Sequence, residues 1–296
     1  ASASGSTAFR HACIEIASGL NDVSLVLGVD KPMPIARAES LTGIGNLADD
    51  AIAPFTHFAL LGDQYASRYG VKTEDFALVA VKNHRNGSKN PFAQHQKERT
   101  LDEILGGKRI SGTLTSLQCT PVGEGAAAVI VASEDGVRAL GIDAARAVRV
   151  TASVGRSQRV YDNATRYDAM LTEETTKLAL AEAGRAPADL DIVELHDAFT
   201  VEEVEYVEAM GLCPDGRAIH ELKEGAFDIG GRCAVSPSGG LIAMGHPIGP
   251  TGVGQIAEIV RQLRGEAGPR QQPNAKIGLA HMVGVGAVCY VHVLEA

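Results

Sequence analysis

The stretch 236–252 crowds five glycines and three prolines around a single histidine, His246, and runs straight into an amphipathic segment. That segment, 253–263, sets Val253, Ile256, Val260 and Leu263 on one face at helical spacing. A glycine-rich turn that opens a helix leaves unpaired backbone N–H groups ahead of its first turn. Such a turn can hold an imidazole against a carbonyl or a developing oxyanion. The same residues also suit a plain helix start with a histidine in the capping loop. A second histidine, His196, follows the apolar run Asp191–Leu195 and precedes a helical pattern, so it stands at the carboxyl end of a strand. In open α/β sheets ligands collect there.

Apolar runs alternate with helical patterns along the rest of the chain. Helices are expected over 2–18, 56–69, 73–84, 135–140, 172–183 and 200–210, and strands over 23–29, 126–133, 148–154, 191–195, 276–279 and 287–294. Residues 23–29 read as a buried strand, and 86–91 as a turn. Thr200 with Glu203 three residues on has capping-box spacing. The alternation predicts an α/β fold with buried sheets. It divides best into 1–140, with a loop excursion over 31–115, and 141–296.

At 296 residues the chain can bury a sizeable core. A net charge of −9 argues against general nucleic-acid binding, and no apolar run approaches the ~20 residues that span a bilayer. The five cysteines, Cys13, Cys119, Cys213, Cys233 and Cys289, are scattered and form neither a CxxC pair nor a zinc-ligand spacing. Free thiols in a reducing cytoplasm are expected, and no metal site.

Three segments, Glu194-Leu-His-Asp-Ala-Phe-Thr200, Gly245-His-Pro-Ile-Gly-Pro-Thr-Gly252 and Ala280-His-Met-Val-Gly-Val-Gly-Ala287, together resemble the thiolase superfamily. The likeness is to its sterol-carrier-protein-x and archaeal branch. Val81-Lys-Asn-His-Arg-Asn-Gly-Ser-Lys-Asn-Pro91 and Val122-Gly-Glu-Gly-Ala-Ala-Ala128 fit that branch too. The resemblance implies two similar α/β halves in αβαβα layers, the first lacking segments upstream of Ala1. It implies chemistry on acyl-CoA substrates with no permanently bound cofactor, a homodimer or tetramer, and a small OB-fold partner protein. Function must still be argued from the site.

The family's nucleophilic cysteine aligns with Ser2. A serine hydroxyl is a far weaker acid than a thiol and needs a true general base; Ser2 also suits a plain helix cap. By resemblance His246 activates the nucleophile, and His196 helps hold the enolate oxyanion, with Asp197 orienting the loop or the ring. His281 stands where other members carry an acid/base cysteine. Gly284 and Gly286 offer N–H groups to the thioester oxygen, and Thr120 and Ser238 line the substrate. Lys82, His84, Arg85 and Lys89 form a basic cluster that reads as a solvated helix face or as a partner for a CoA phosphate. The resemblance implies thiolase-type acyl transfer. With Ser2, and with Ala198 where some relatives have cysteine, two alternatives stand. One is a cysteine-free aldolase that cleaves a β-hydroxyacyl-CoA, with Tyr161 or Tyr167 as a candidate acid/base. The other is an inactive CoA-thioester-binding subunit.

Overall fold

The computed structural model describes residues 2–31, 54–159, 166–284 and 288–296. Gly286 and Tyr161 lie outside them, as does most of the first third of the expected excursion.

Two sheets sandwich a layer of helices. The larger sheet has five strands in the order β5-β9-β8-β6-β7, namely Arg149–Ser157, Val288–Glu295, Ile277–Gly284, Ile192–Glu194 and Ala234–Val235. β6 pairs parallel with β7 and β8; β9 pairs antiparallel with β8 and β5. Every residue of β8 is buried, as a strand covered on both faces requires. Among the described residues the smaller sheet is β1 (Val23–Asp30) paired antiparallel with β4 (Gly125–Ala132). Between the sheets lie α1 (Ser4–Ala17) and α10 (Thr251–Leu263). Phe9, Ala12, Val253, Ile256 and Ile259 pack there against Val26 and Val131 of one sheet and Ile192, Ala280 and Leu294 of the other.

On the far side of the five-stranded sheet lies a larger core. It joins α6 (Tyr167–Ala183) and α7 (Thr200–Ala209) to α2 (Pro54–Tyr69) and α3 (Ala77–Ser88). Residues 54–115 thus fold mainly as helices and a small hairpin, β2 (Arg109–Ser111) with β3 (Leu114–Thr115), beside the short α4 (Leu101–Leu105). The remaining helices are α5 (Glu134–Ala139), α8 (Ala218–Lys223) and α9 (Gly240–Met244).

Three expectations need correcting. β1 is buried on one face only: Val26 is 2% exposed, but Leu25 is 69% exposed. Its odd-numbered residues alternate outward because α1 and α10 cover only the other face. The turn expected over 86–91 begins late, since α3 continues to Ser88. Tertiary contacts hold that last turn: the Asn86 amide donates to the Ser236 carbonyl at 3.1 Å. The expected capping box is halved and shifted by one residue, because the Phe199 ring offers no acceptor and only the carboxylate's bond back to the N-cap forms. Phe199 is the N-cap of α7, and its N–H donates to Glu202 Oε2 at 2.8 Å.

Candidate active site

Three chain segments converge where the middle helix layer meets the strand ends. The loop 245–250 carries His246 into α10. The turn 195–199 carries His196 from β6 into α7. The first residues of α1 abut the His246 loop: a Cβ at Gly5 would lie 2.7 Å from the Gly249 carbonyl oxygen, so only glycine permits this approach. Ser2 is buried, one residue before the N-cap Ala3, and makes no hydrogen bond among the described residues. It does not cap the helix.

The imidazoles of His196 and His246 face each other edge to plane, with centroids 5.2 Å apart at 87°. Their hydrogen bonds assign the protons. Thr251 Oγ1 gives its one hydrogen to the Pro247 carbonyl at 2.6 Å, so toward His246 it can only accept. His246 Nδ1, 2.9 Å away, therefore carries the proton and donates, leaving a lone pair on Nε2. Burial, with the neighbouring His196 second, pushes the His246 imidazole down to about 3. It is neutral near pH 7 and shaped as a base.

His196 Nδ1 lies 3.1 Å from Glu202 Oε1. Glu202 also receives the Tyr206 hydroxyl at 3.1 Å and the Phe199 N–H. Neither Nε2 of the pair has a hydrogen-bond partner among the described residues. Glu202 gave a sequence signal only in hindsight: a carboxylate at the third position of a helix reaches back to its own N-cap, and here that N-cap follows the histidine by three residues.

The other expected site residues are engaged as follows. His281 is fully buried. Its Nδ1 accepts the His196 backbone N–H at 3.4 Å and its Nε2 donates to Thr172 Oγ1 at 2.9 Å, so both ring nitrogens are engaged. Asp197 does not hold the imidazole; it accepts from the Leu241 N–H at 2.7 Å and from Asn83 Nδ2 at 2.6 Å. A Cβ at Gly240, whose φ is +60°, would sit 2.2 Å from Asp197 Oδ2. Ser238 spends both its N–H and its hydroxyl on Glu194, at 2.9 and 2.7 Å. Thr120 donates its hydroxyl to the Leu241 carbonyl at 2.8 Å. Gly284 ends β8, paired with Val288.

The basic cluster is not one solvated face, since its first members are buried or paired. Lys82 is 2% exposed and meets Glu203 at 3.1 Å, the Val235 carbonyl at 2.6 Å and Asn83 Oδ1 at 2.6 Å. Arg85 pairs with Asp228, and burial pushes the His84 ring down to about 4. The one-residue shift of the capping box has a direct result here: Glu202 turns to His196 while Glu203 turns to Lys82.

Burial, with the Glu258 charge second, pushes the Glu194 carboxyl up to about 8. The folded chain thus keeps a proton that the unfolded chain releases near 4.5. The resulting stability is full at low pH and is lost as pH rises through about 8. Glu194→Gln, which mimics the protonated carboxyl, is expected to flatten the fall in unfolding midpoint between pH 5 and pH 9 in thermal melts. An unchanged slope would contradict this assignment.

All five cysteines are held as thiols. Burial pushes Cys13 up to about 11, and Cys119, Cys213, Cys233 and Cys289 up to about 12. None has the depressed pKa of a nucleophilic thiolate.

The chain is similar to several known proteins. Residues 153–295 fit the family model described as thiolase C-terminal domain-like. The chain is 35% identical to sterol carrier protein 2 of Homo sapiens, aligning over 98% of its own length and 56% of that protein's. It therefore spans little more than half of that relative. It is 36% identical to the benzoylsuccinyl-CoA thiolase subunit BbsB of Thauera aromatica, over 97% of this chain and 75% of that one. The solved Ltp2–ChsH2(DUF35) aldolase superposes with a TM-score of 0.77 at 22% identity, covering 99% of this chain and 77% of that one, which shows a shared fold. Among the described residues no helix is long and apolar enough to cross a membrane. With two α/β layers meeting at the His246 and His196 loops, and relatives of this identity and coverage, the chain belongs to the thiolase family.

Proposed function

We propose that this chain acts on acyl-CoA thioesters, making or breaking the C–C bond beside the thioester carbonyl. The observation that carries this reading is the facing of His246 and His196, each with an Nε2 unpaired among the described residues, where the start of α1 abuts the His246 loop. Carbon–carbon chemistry at a thioester needs a base to create the carbanion or alkoxide and a group to return the proton. Two facing imidazoles meet that need without a metal ligand set.

In the first route, thiolase-type acyl transfer, His246 Nε2 takes the proton of the residue at position 2, which attacks the carbonyl. Gly284 and Gly286 supply N–H groups to the oxyanion. His281 serves as a buried support for the His196 backbone; as a proton shuttle it would have to release Thr172. The second route is retro-aldol cleavage of a β-hydroxyacyl-CoA, with no covalent intermediate. It is favoured by Ser2 and by the raised pKa of every thiol in the chain. Tyr167, half-buried and stacked on His57 with centroids 5.7 Å apart, is its candidate tyrosine. We further propose that the chain works in an assembly, as a homodimer or tetramer and with a small OB-fold partner. That one relative is a thiolase subunit, and one structural neighbour the Ltp2–ChsH2(DUF35) aldolase, supports that reading.

Intact-mass measurement after incubation with acetoacetyl-CoA, beside Ser2→Cys, tests the proposal. Ser2→Cys is expected to gain an acyl adduct. An adduct on the natural chain selects acyl transfer through Ser2. No adduct there, with cleavage of a β-hydroxyacyl-CoA, selects the aldol route. No adduct on either protein, with neither substrate cleaved, would overturn the reading.

A further inference from the structure

We propose that Glu202 is a positioning residue that fixes His196 with its proton on Nδ1, so that His196 meets substrate as a proton acceptor at Nε2. The role assigned to His196 rests on the acyl-CoA reading above; the geometry does not.

The argument begins with the three donors on one carboxylate. Glu202 is 2% exposed and accepts the Phe199 N–H on Oε2, with the Tyr206 hydroxyl and His196 Nδ1 on Oε1. With the Phe199 N–H and the Tyr206 hydroxyl already donating to it, Glu202 is arranged as an ionised carboxylate, which only accepts, so its histidine neighbour donates. The ring is also fixed from behind, since the His196 backbone N–H is tied to His281. The groups around His196 are Glu202 and Tyr206 on α7, His246 on its loop, His281 on β8 and Asp168 on α6. Of these, Glu202 is the one whose oxygen lies within hydrogen-bond distance of a ring nitrogen of His196.

This changes what His196 can do. A neutral ring protonated on Nδ1 cannot donate to an enolate oxygen from Nε2; it accepts. In the cleavage direction the O–H bond of a β-hydroxyl breaks and its proton goes to Nε2. The C–C bond then breaks, and its electron pair passes to the α carbon and the thioester oxygen as an enolate. The imidazolium formed lies against the Glu202 carboxylate, which stabilises it. Its Nε2–H then returns the proton to the α carbon, so atoms and charge balance.

Glu202→Gln gives a test with a definite sign. The Phe199 N–H belongs to the helix cap and cannot turn away. The glutamine carbonyl must therefore face it, which points the NH2 at His196 Nδ1. That nitrogen becomes the acceptor, and the ring proton moves to Nε2, toward the site.

The experiment is long-range 1H–15N correlation of the histidine side chains at pH 9, with His196 assigned through the backbone. It needs no substrate. The natural chain is expected to show His196 Nδ1 protonated and Nε2 at the downfield position of a bare nitrogen. Glu202→Gln is expected to exchange the two, and Tyr206→Phe, which leaves the carboxylate in place, to keep the natural pattern. With β-hydroxyacyl-CoA, Glu202→Gln is expected to lose about 10²- to 10⁴-fold in kcat with KM little changed, the scale of a base in the wrong tautomer. A natural chain with Nε2 protonated, or with both nitrogens protonated, would overturn the proposal whether or not any variant folds. So would an unchanged tautomer in Glu202→Gln, or the exchanged one in Tyr206→Phe. A natural chain that shows the expected tautomer but cleaves no thioester would leave the positioning intact and refute the acyl-CoA reading instead.

Discussion

His246→Ala is expected to lower thioester cleavage or acyl transfer by about 10²- to 10⁴-fold, the usual contribution of a positioned general base. The effect should fall on kcat, because the ring's unpaired Nε2 acts on a proton in flight rather than on binding. The fold should change little. The His246 side chain gives up one hydrogen bond, to Thr251 Oγ1, a loss of about 1 kcal/mol. Thr251→Val is a milder version of the same change. It removes the acceptor that keeps the proton on Nδ1, and should cost activity without removing the imidazole. Steady-state rates and thermal melts of both variants check these outcomes. Unimpaired turnover in His246→Ala would remove the loop from the chemistry.

Lys82→Met is expected to destabilise the chain by about 3–5 kcal/mol, the range for one charge of a buried pair left alone. At this chain length that corresponds to a fall in melting temperature of roughly 6–20 °C. Lys82 stands between two buried carboxyl groups. It contacts Glu203 directly, and Asn83 links Glu203 to Asp197 at 3.1 and 2.6 Å. Burial drives both carboxyls upward, and their nearness to each other adds to it for Asp197. Without the ammonium that upward push is opposed chiefly by the Leu241 and Asn83 hydrogen bonds. Because Asp197 anchors the Leu241 N–H and follows His196 directly, the loss should also loosen the histidine pair. Lys82→Met with Glu203→Leu is expected to regain most of the stability, since an apolar pair of similar volume replaces the charges. Calorimetry of the single and double variants decides; a single variant as stable as the natural chain would contradict the buried network.

The histidine loop was legible because its signals are local. Glycine and proline punctuate 236–252, and the 3.6-residue period of 253–263 is that of the buried face of α10. The strand ending just before His196 was legible for the same reason. Roles that depend on which way a side chain turns were not. Asp197 reads as orienting either the loop or the ring, and only the fold shows that it turns to Asn83 and Leu241. The partner is Glu202, six residues on, because the N-cap is Phe199 rather than Thr200, which moves each acidic residue by one position relative to the cap. Lys82 to Lys89 read as a charged face because sequence alone does not show that α3 is sandwiched between α7 and α9. β8 is longer than its first apolar residues suggest. It continues through His281 and Met282 because Cys289, Tyr290 and Val291 of β9 lie opposite, a pairing that no short window contains.

The most direct test of the paired-base site is exchange of the α protons of an acyl-CoA in heavy water, read by mass spectrometry. The natural chain is expected to speed exchange well above the buffer rate, with His246→Ala and His196→Ala each removing most of that gain. Exchange no faster than buffer, or exchange that survives in both variants, would contradict the central claim that these two imidazoles carry the proton chemistry.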